Sequence, residues 1–496
     1  MITFAPDFNN RLRNMKFRKL ASKMVLTAAA VLTVLTANAE GYQINSQSAR
    51  QTGMGHTGTA LKLGAESMLF NPAGMAFMNS KFDISLGVTG IQSKVKFNGM
   101  GTKAETDNPM STPLFGYIGY KPCSNLAVGV SVTNPAGNSL VWGDNWAGAT
   151  MLQEVSLAAF SIQPTVSYKI GDIVSIGAGL MIDFGSFSQE KALIGKNQLE
   201  ALIPLANKLA PMEPKLGALP DAIQTFHDKY PAEIELEGSS KVSYGFNIGA
   251  MVNITPKLTF GVNYRSKVKL SVEGGDAEVD YANDYAQNVV NTIASFKIPS
   301  QLEGMIDKET LKTIEATIAK MGIVTNLDGT KFDASMPIPS ILSFGLAYKP
   351  NDALTLTGEA QFTGWSAYKR LDISFKQNGK EIYLQPSIKD YENTVAVRIG
   401  GEYVISDFAT VRAGAYLDTP PVQKDNYNPE TPSATTFCGT VGASLSPMKN
   451  MTIDLAFAYL QGKKTNGTFQ DSTIGAFSGE YQKSAVMPAI GLRFRF

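Results

Sequence analysis

Apolar and polar side chains alternate along most of the chain beyond residue 80. In the C-terminal segment one parity is apolar from Val486 to Phe496, whereas the other holds small residues together with Arg493 and Arg495. Successive side chains of a β-strand point to opposite faces, so one face of this segment is apolar along its whole length. The pattern predicts a protein built almost entirely from β-strands.

Fourteen segments carry this alternation. They lie at residues 81–92, 112–121, 125–134, 155–169, 173–187, 240–254, 257–273, 338–349, 353–365, 391–405, 408–417, 434–446, 450–461 and 482–496. Tight links such as Gly171-Asp172 and Ser406-Asp407 alternate with long ones. An even strand number with short turns at one end and long loops at the other is typical of bacterial outer-membrane barrels.

We therefore predict an all-β membrane protein, a 14-stranded antiparallel outer-membrane β-barrel at residues 81–496. A closed barrel pairs every backbone hydrogen bond without water, which allows strands to cross a bilayer. A soluble β-sandwich is the alternative. It explains neither the alternation of loop lengths nor the aromatic terminal strand.

The first 39 residues have the character of an export signal. A basic stretch around Arg18 precedes an uncharged run at 24–37, which ends in the motif Ala37-Asn38-Ala39. This order of basic, apolar and small residues is typical of a cleaved signal peptide, and the run is shorter than the roughly 20 residues of a membrane-spanning helix. We predict a signal peptide at 1–39, with Met15 as an alternative start; a buried N-terminal helix is the other interpretation.

Composition and charge exclude several classes of function. The chain has 44 basic and 43 acidic residues, a formal net charge of +1, whereas nucleic-acid-binding proteins carry a basic excess. Two cysteines, Cys123 and Cys438, argue against a disulfide framework or a cysteine-rich metal site. The histidines, His56 and His227, both lie outside the predicted strands, which argues against an enzyme built on a Ser–His pair. We expect no catalytic site, no metal and no cofactor.

Residues 40–80 are rich in glycine and lack the alternation. The stretch Gly53 to Gly58 has the G-x-G-x-x-G spacing of a dinucleotide site, but no apolar strand precedes it and no βαβ unit follows, so we reject that interpretation. A compact segment of this size fits inside a barrel. We predict an N-terminal plug, or hatch, at 40–80.

Two long links, residues 189–238 and 274–336, have helical rather than strand character. Apolar residues recur there at helical spacing, including Leu202 and Leu205 in the first link and Leu311, Ile314 and Ile318 in the second. These faces have two interpretations, a packed helix pair or an exposed apolar groove that captures a hydrophobic ligand from outside. The pattern supports both about equally.

Three arginines fall on the parity that faces the lumen, namely Arg265, Arg398 and Arg412. A guanidinium group there could bind a ligand carboxylate through two hydrogen bonds. The alternative is that these arginines pair with acids of the same parity, such as Glu359 and Glu402.

Several motifs resemble the FadL-like outer-membrane transporters of long-chain fatty acids and related hydrophobic compounds. The most specific are Ser48 to Gly55, Asn71-Pro72-Ala73, Pro337 to Ser340 and Thr363 to Tyr368. Members of that family have fourteen strands, an N-terminal hatch, and helices in the third and fourth outer loops. The two helical links predicted here follow the fifth and seventh strands, which places them in those two extracellular loops.

The resemblance implies passive uptake of long-chain fatty acids or similar hydrophobic molecules in a Gram-negative bacterium. The ligand would adsorb between the helical loops, enter a lumen pocket closed by the hatch, and leave sideways near the third strand. The implied hatch residues are Gly41, Tyr42, Asn71, Pro72 and Ala73. The implied lateral opening includes Gly129, Asn134, Pro135 and Gly137, and proline and glycine suit such a defect in a wall. The ordinary start of an outer loop is the alternative interpretation of these residues.

The resemblance is incomplete where family members place a basic residue for the ligand carboxylate. Near one such position this chain has Asp372 and offers Lys369 or Arg370 instead, so a neutral hydrophobic ligand is also allowed.

The expected partners follow from this interpretation. They are the hydrophobic ligand, the lipids and lipopolysaccharide of the outer membrane, and the barrel-assembly machinery, which would act on the C-terminal strand ending in Phe496. We expect a monomer that binds no nucleic acid. A surface adhesin and a non-specific porin are the alternative functions.

Overall fold

The structure, a computed structural model, describes residues 41–194, 230–298, 307–377, 380–383, 387–471 and 475–496, together with positions 203, 207, 217 and 221. The predicted signal segment 1–39 with Met15, and the predicted groove residues Leu202 and Leu205, lie outside the described residues. None of the helices within the described ranges is long and apolar enough to cross a bilayer.

Fourteen antiparallel strands form the wall in the described part of the chain. They are β1 (Phe82–Thr89, continued by Gln92–Gly99), β2 (Leu114–Tyr120), β3 (Leu126–Thr133 and Gly137–Val141), β4 (Glu154–Ile170), β5 (Val174–Ala192), β6 (Ala232–Ser239 and Ser243–Thr255), β7 (Leu258–Arg265 and Val268–Tyr281), β8 (Thr330–Ile338 and Ile341–Tyr348), β9 (Leu354–Thr363), β10 (Thr394–Val404), β11 (Ala409–Asp418), β12 (Thr436–Met448), β13 (Met451–Gly462) and β14 (Gly475–Arg495). Short strands at Thr102–Glu105, Ile373–Gln377, Lys380–Tyr383 and Thr465–Asp471 extend the sheet at the long-loop end. A separate pair joins Arg370–Leu371 to Ser387–Ile388.

Each wall strand pairs with its neighbours in the chain, and the sheet closes on itself. At the seam β1 pairs with β14, and Leu86 lies opposite Leu492. On its other side β1 pairs with β2, where Leu86 lies opposite Gly116. The closed 14-stranded barrel predicted from the alternation is confirmed.

The two parities of the strands meet different surroundings, as the pattern predicted. Outward positions such as Val130, Ile399 and Ile490 leave large apolar side chains exposed on the outer surface. Inward positions such as Gln163 and Asn247 are polar and buried. An apolar outer band with a polar interior is what a barrel surrounded by lipid requires.

The wall strands extend beyond the predicted bounds at the long-loop end. β5 continues to Ala192 and β6 begins at Ala232, so the first helical link is shorter than residues 189–238. β7 continues to Tyr281 and β8 begins at Thr330, which likewise shortens the link predicted at 274–336.

The alternation reverses in these extensions. Ile234 and Leu236 are buried on the inner side, whereas Glu235 and Glu237 face outward on the same stretch. We attribute the reversal to the surroundings, because an outer face beyond the lipid meets water and therefore carries charge. The strand ends that were predicted from an apolar outer face therefore fall short of the observed ends.

The second helical link contains two long helices. Helices α1 (Ala49–Thr52) and α2 (Ser67–Phe70) belong to the N-terminal hatch. Helices α3 (Asp284–Ser295) and α4 (Lys308–Leu327) belong to this link. The side-chain oxygen of Asn283 caps α3 by accepting a hydrogen bond from the backbone N–H of Ala286 at 2.8 Å.

The apolar stripes of α3 and α4 pack against each other and against the strand extensions. The buried members of this cluster include Val290, Ile293, Met321, Val324, Ile234 and Phe332. Ile314 of α4 is also buried. Leu311 and Ile318 are half-buried.

Residues 41–80 form the hatch, which lies inside the barrel. Two 3-10 turns, Gly64–Glu66 and Pro72–Phe77, accompany α1 and α2. The hatch meets inward positions of strands around the wall. A Cβ atom at Gly177 of β5 would lie 2.4 Å from Pro72, and one at Gly442 of β12 would lie 2.9 Å from Gly53.

Candidate functional site: the hatch, the lumen and the break in the third strand

The first residues of the hatch pair with the break in β3. The N–H of Gly137 donates to the carbonyl of Tyr42 at 2.9 Å, and the N–H of Ile44 donates to the carbonyl of Pro135 at 3.2 Å. Gln43 therefore lies opposite Ala136 as one antiparallel bridge. The hatch uses backbone groups that a neighbouring wall strand would otherwise bond.

The break itself follows from the residues of β3. Proline has no N–H to donate to a ladder, so Pro135 leaves one hydrogen bond of β3 unmade at the point where the strand is interrupted. Residues 126–133 pair with both β2 and β4, whereas the described pairing of 137–141 is with β4 alone. Asn134 bridges the gap, because its side chain accepts from the N–H of Leu114 at 2.9 Å and donates to the carbonyl of Ala159 at 3.0 Å.

An aromatic cluster holds the start of the hatch. The ring of Tyr42 lies edge-on to Trp365, with centroids 4.7 Å apart, and to Tyr368, with centroids 5.9 Å apart. The hydroxyl of Tyr42 donates to the carbonyl of Pro337. A Cβ atom at Gly41 would lie 2.5 Å from the Trp365 ring, so only glycine fits there without movement of that ring.

Two cavities meet at this segment. The first, which we call the apolar cavity, is lined by Tyr42, Leu157, Phe187, Leu270 and Met336 among others. The second, which we call the side passage, is lined by Gly41 and by residues 43–46 among others. The first residues of the hatch therefore line both cavities.

The side passage is lined by residues of both faces of the wall. Its lining includes the inward residues Tyr416 and Leu460, and also Leu114 and Phe160 on the outward parity. Leu114 is 58% exposed on that outer face. The side passage therefore lies beside the second half of β3 and reaches residues of the outer face.

At the short-turn end the hatch is held by Asn71. Its side-chain amide donates to the carbonyls of Thr59 at 2.7 Å, Ala250 at 3.1 Å and Val262 at 3.2 Å. Its carbonyl oxygen accepts from the N–H of Ala73 at 3.1 Å. One side chain thus joins two turns of the hatch to β6 and β7.

Replacing Gly249 by alanine should loosen this attachment. The new Cβ atom would lie 2.0 Å from Oδ1 of Asn71, so the amide has to move and lose hydrogen bonds. Each buried hydrogen bond that is broken costs about 1–3 kcal/mol. Since the wall strands are held by continuous backbone ladders, we expect the hatch to move rather than the wall. We expect more frequent ion-conducting openings in planar bilayers. Gly439→Ala is the control, since nothing lies within 4 Å of a Cβ atom there; equal conductance of the two variants would contradict the prediction.

The glycine-rich stretch that imitates a dinucleotide motif is explained by close packing. Gly55 has φ +67°, a left-handed conformation, and a Cβ atom on it would lie 2.5 Å from the carbonyl of Ile399. Gly414 of β11 faces Gly55, Gly442 of β12 faces Gly53, and neither leaves room for a side chain. Backbone packs directly on backbone here.

An ionic network fixes α1 to the wall. The carboxylate of Glu402 accepts hydrogen bonds from Arg50 of the hatch at 3.0 Å and from Arg412 of β11 at 2.6 Å. Arg412 also contacts Asp454 at 3.4 Å, and Arg493 lies 3.7 Å from Asp454. All of these groups are largely buried, so each charge depends on its partners.

A second charged pair supports the middle of the hatch. The carboxylate of Glu359 accepts from the N–H groups of Gly58 and Thr59, both at 2.9 Å, and lies 3.6 Å from Arg398. Arg398 also donates to the carbonyl of His56 at 3.4 Å. Burial, helped by the nearby Arg398, lowers the pKa of His56 to about 3, so this side chain is neutral at physiological pH.

The remaining candidate cations lie in different places. Arg265 lines a third cavity that it shares with Arg398, and its guanidinium lies 3.7 Å from the sulfur of Met181. Lys369 and Arg370 are exposed and pair with Asp390 and Asp372, both at 2.9 Å.

The predicted opening residues fall into two groups. Asn134, Pro135 and Gly137 meet at the break and line or border the side passage. Gly129 lies in the fully paired half of β3, opposite Gly119, where a Cβ atom would lie 2.9 Å from Met68 of the hatch.

Sequence reasoning missed the polar group at the far end of the apolar cavity. Lys389 is buried, 1% exposed, and pairs with Glu430, which also accepts from Gln189 at 3.0 Å. Both charged residues belong to loops without hydrophobic periodicity, so no pattern marked them. Their only signal was charge in segments otherwise rich in aromatic residues and proline.

Comparison with known proteins agrees with this architecture. A sequence model of the family described as "Outer membrane protein transport protein (OMPP1/FadL/TodX)" matches residues 30–496. Outer membrane protein P1 of Haemophilus influenzae is 22% identical over 479 residues, which cover 90% of this chain and 92% of that protein. The long-chain fatty acid transport protein of Shigella flexneri is 20% identical over 472 residues, which cover 93% and 97%.

Solved structures have the same fold. The crystal structure of a Pseudomonas aeruginosa FadL homologue has a TM-score of 0.72 at 20% identity, covering 92% of this chain and 100% of that one. The P. putida toluene transporter TodX has a TM-score of 0.63 at 15% identity, covering 90% and 98%. Since the family match extends over most of the sequence, this chain belongs to the OMPP1/FadL/TodX family of outer-membrane transport proteins.

Proposed function

We propose that this chain carries long-chain fatty acids or similar hydrophobic molecules passively across the outer membrane. In this proposal the apolar cavity holds the ligand, the first residues of the hatch form the gate, and the side passage is the exit. Export through a signal peptide at 1–39 belongs to the same proposal.

The observation that carries the proposal is the position of the first hatch residues. Tyr42 lines the apolar cavity, while Gly41 and residues 43–46 line the side passage. A displacement of this short segment would join the two spaces. In the described part of the chain it is held by a few hydrogen bonds and by the aromatic contacts of Tyr42, so the movement is small compared with release of the whole hatch.

Lateral exit suits a hydrophobic molecule. The side passage ends at Leu114 and Phe160, which face the surrounding lipid. A ligand leaving there remains among apolar surfaces instead of entering water, which avoids the cost of exposing its hydrocarbon surface.

Capture is assigned to the long-loop end of the barrel. Most of the apolar stripe of α3 and α4 is covered, and Leu311 and Ile318 stay half-buried. The proposal therefore places first contact at the edge of this helix pair rather than in a wide open groove.

The arginines receive a structural role in this proposal. Arg398 and Arg412 already pair with Glu359 and Glu402 and hold the hatch. We assign ligand contact to the residues that line the apolar cavity instead.

Uptake by whole cells tests the proposal. A Gram-negative host that lacks such a transporter, expressing the full chain, should take up radiolabelled oleate or toluene faster than the same host with an empty vector. Purified protein in planar bilayers should show little steady conductance, because the hatch fills the lumen. Unchanged uptake with altered cell attachment would instead support an adhesin, and a large steady conductance a porin; either result overturns the proposal.

A further inference from the structure

One end of the apolar cavity is polar and carries an acidic side chain. Glu430 is the only charged side chain among the described residues that line it. One carboxylate oxygen accepts from Gln189 at 3.0 Å and the other accepts from Lys389. Both carboxylate oxygens therefore have a donor inside a largely hydrophobic space.

The cation of this pair lies behind the acid. Lys389 does not line the cavity, and its side chain is 1% exposed, so Glu430 separates the ammonium group from any ligand. Asn138 also fixes this end, because its amide donates to the backbone carbonyl of Glu430 at 2.9 Å. The polar end thus presents the carboxylate of Glu430 as a hydrogen-bond acceptor, while the ammonium group of Lys389 is already paired with that carboxylate.

A second polar group lines the same cavity. Tyr368 is 4% exposed, and its hydroxyl makes no hydrogen bond with the residues that the structure describes. Burial, with Tyr42, Tyr391 and Glu430 nearby, raises the pKa of Tyr368 well above its ordinary value. Its O–H therefore stays protonated and can donate to a ligand.

These two groups together match one kind of ligand. We propose that the apolar cavity prefers uncharged hydrophobic molecules that carry a hydroxyl group over the carboxylates of fatty acids; this preference rests on the transport function proposed above and narrows its ligands. Such a hydroxyl accepts from Tyr368 and donates to Glu430. A hydrocarbon makes neither bond, whereas a carboxylate has no proton to donate and meets a like charge without a free cation.

Three probes of one shape separate these cases: p-cresol, toluene and 4-methylbenzoate. Binding is measured by isothermal titration calorimetry on the purified full chain in detergent at pH 7. We expect p-cresol to bind more tightly than toluene, and 4-methylbenzoate to bind at least an order of magnitude more weakly than p-cresol, about the effect of one or two hydrogen bonds.

Variants of the two groups give the sharper test. Tyr368→Phe should weaken p-cresol about tenfold relative to toluene, since only the hydroxyl is removed. Glu430→Gln should strengthen 4-methylbenzoate, because it frees the charge of Lys389. The double variant Lys389→Met/Glu430→Gln is the matched control and should lose that gain. Heat-modifiable migration on gels verifies that each variant keeps its barrel.

The outcomes distinguish this inference from the transport proposal. Equal affinity of the wild type for p-cresol and 4-methylbenzoate, or an unchanged ratio of p-cresol to toluene in Tyr368→Phe, would overturn the selectivity while toluene binding still supported a hydrophobic site. If none of the three probes bound, the cavity would not be a ligand site, and the proposed function would fail with it.

Discussion

Glu402→Gln is expected to convert a closed barrel into one that conducts ions. The carboxylate of Glu402 lies between Arg50 of the hatch, at 3.0 Å, and Arg412 of the wall, at 2.6 Å. Glutamine preserves the shape but removes the charge, which leaves two buried cations facing each other. Breaking a buried ion pair costs about 3–5 kcal/mol. Since the wall is held by continuous backbone ladders, α1 should detach first, and planar-bilayer recordings should show long openings.

Two controls define that result. Glu105→Gln removes an acid from an exposed pair with Lys94 and Lys96, and such surface pairs contribute about 0–1 kcal/mol, so its conductance should match the wild type. Arg50→Met/Glu402→Gln removes one of the stranded cations and should close part of the conductance. Recordings of Glu402→Gln identical to those of Glu105→Gln would show that the network does not hold the hatch.

A disulfide between positions 43 and 136 is expected to abolish uptake. The N–H of Gly137 bonds the carbonyl of Tyr42, and the N–H of Ile44 bonds that of Pro135, which makes Gln43 and Ala136 a non-hydrogen-bonded antiparallel pair. Cα atoms of such pairs lie about 4.5 Å apart, within the range that a disulfide spans. Gln43→Cys/Ala136→Cys should therefore crosslink readily and fix the gate to β3.

Uptake of labelled oleate or toluene measures the effect. Oxidised cells should fall to the level of the host without the protein, and a reducing agent should restore uptake. The background carries Cys123→Ser, because Cys123 is exposed and could mispair, whereas Cys438 is buried. Gln43→Cys alone, treated in the same way, is the matched control. Equal uptake before and after reduction, with the crosslink demonstrated on a gel, would rule out movement of this segment as the gate.

The wall was predictable from the sequence because lipid imposes a simple rule. Outward positions such as Ile399 and Ile490 had to be apolar, and this produced the period of two that gave fourteen strands. The rule stops where the lipid stops. Beyond it Glu235 and Glu237 face outward and Ile234 faces inward, so the ends of β5 to β8 could not be placed from an apolar outer face.

The site was less predictable because its residues are defined by distant partners. Arg398 and Arg412 were marked by parity alone, and parity cannot distinguish a ligand contact from an ion pair with Glu359 or Glu402. Lys389 and Glu430 come together from two loops 41 positions apart in the chain. Such pairs leave no local pattern, whereas the break at Pro135 was visible because proline changes the backbone itself.

The arrangement of hatch and seam constrains the order in which the molecule can be assembled. Glu66 of the hatch binds Ser85 in the first wall strand at 2.6 Å, and Ala49 lies against Gly491 in the last. Asp83 and Arg495, which meet across the seam, are 412 residues apart. Contacts between such distant parts form late, because a long stretch of chain must first be ordered between them. The hatch, which is synthesised before the wall, must therefore wait without its final partners until the last strand encloses it.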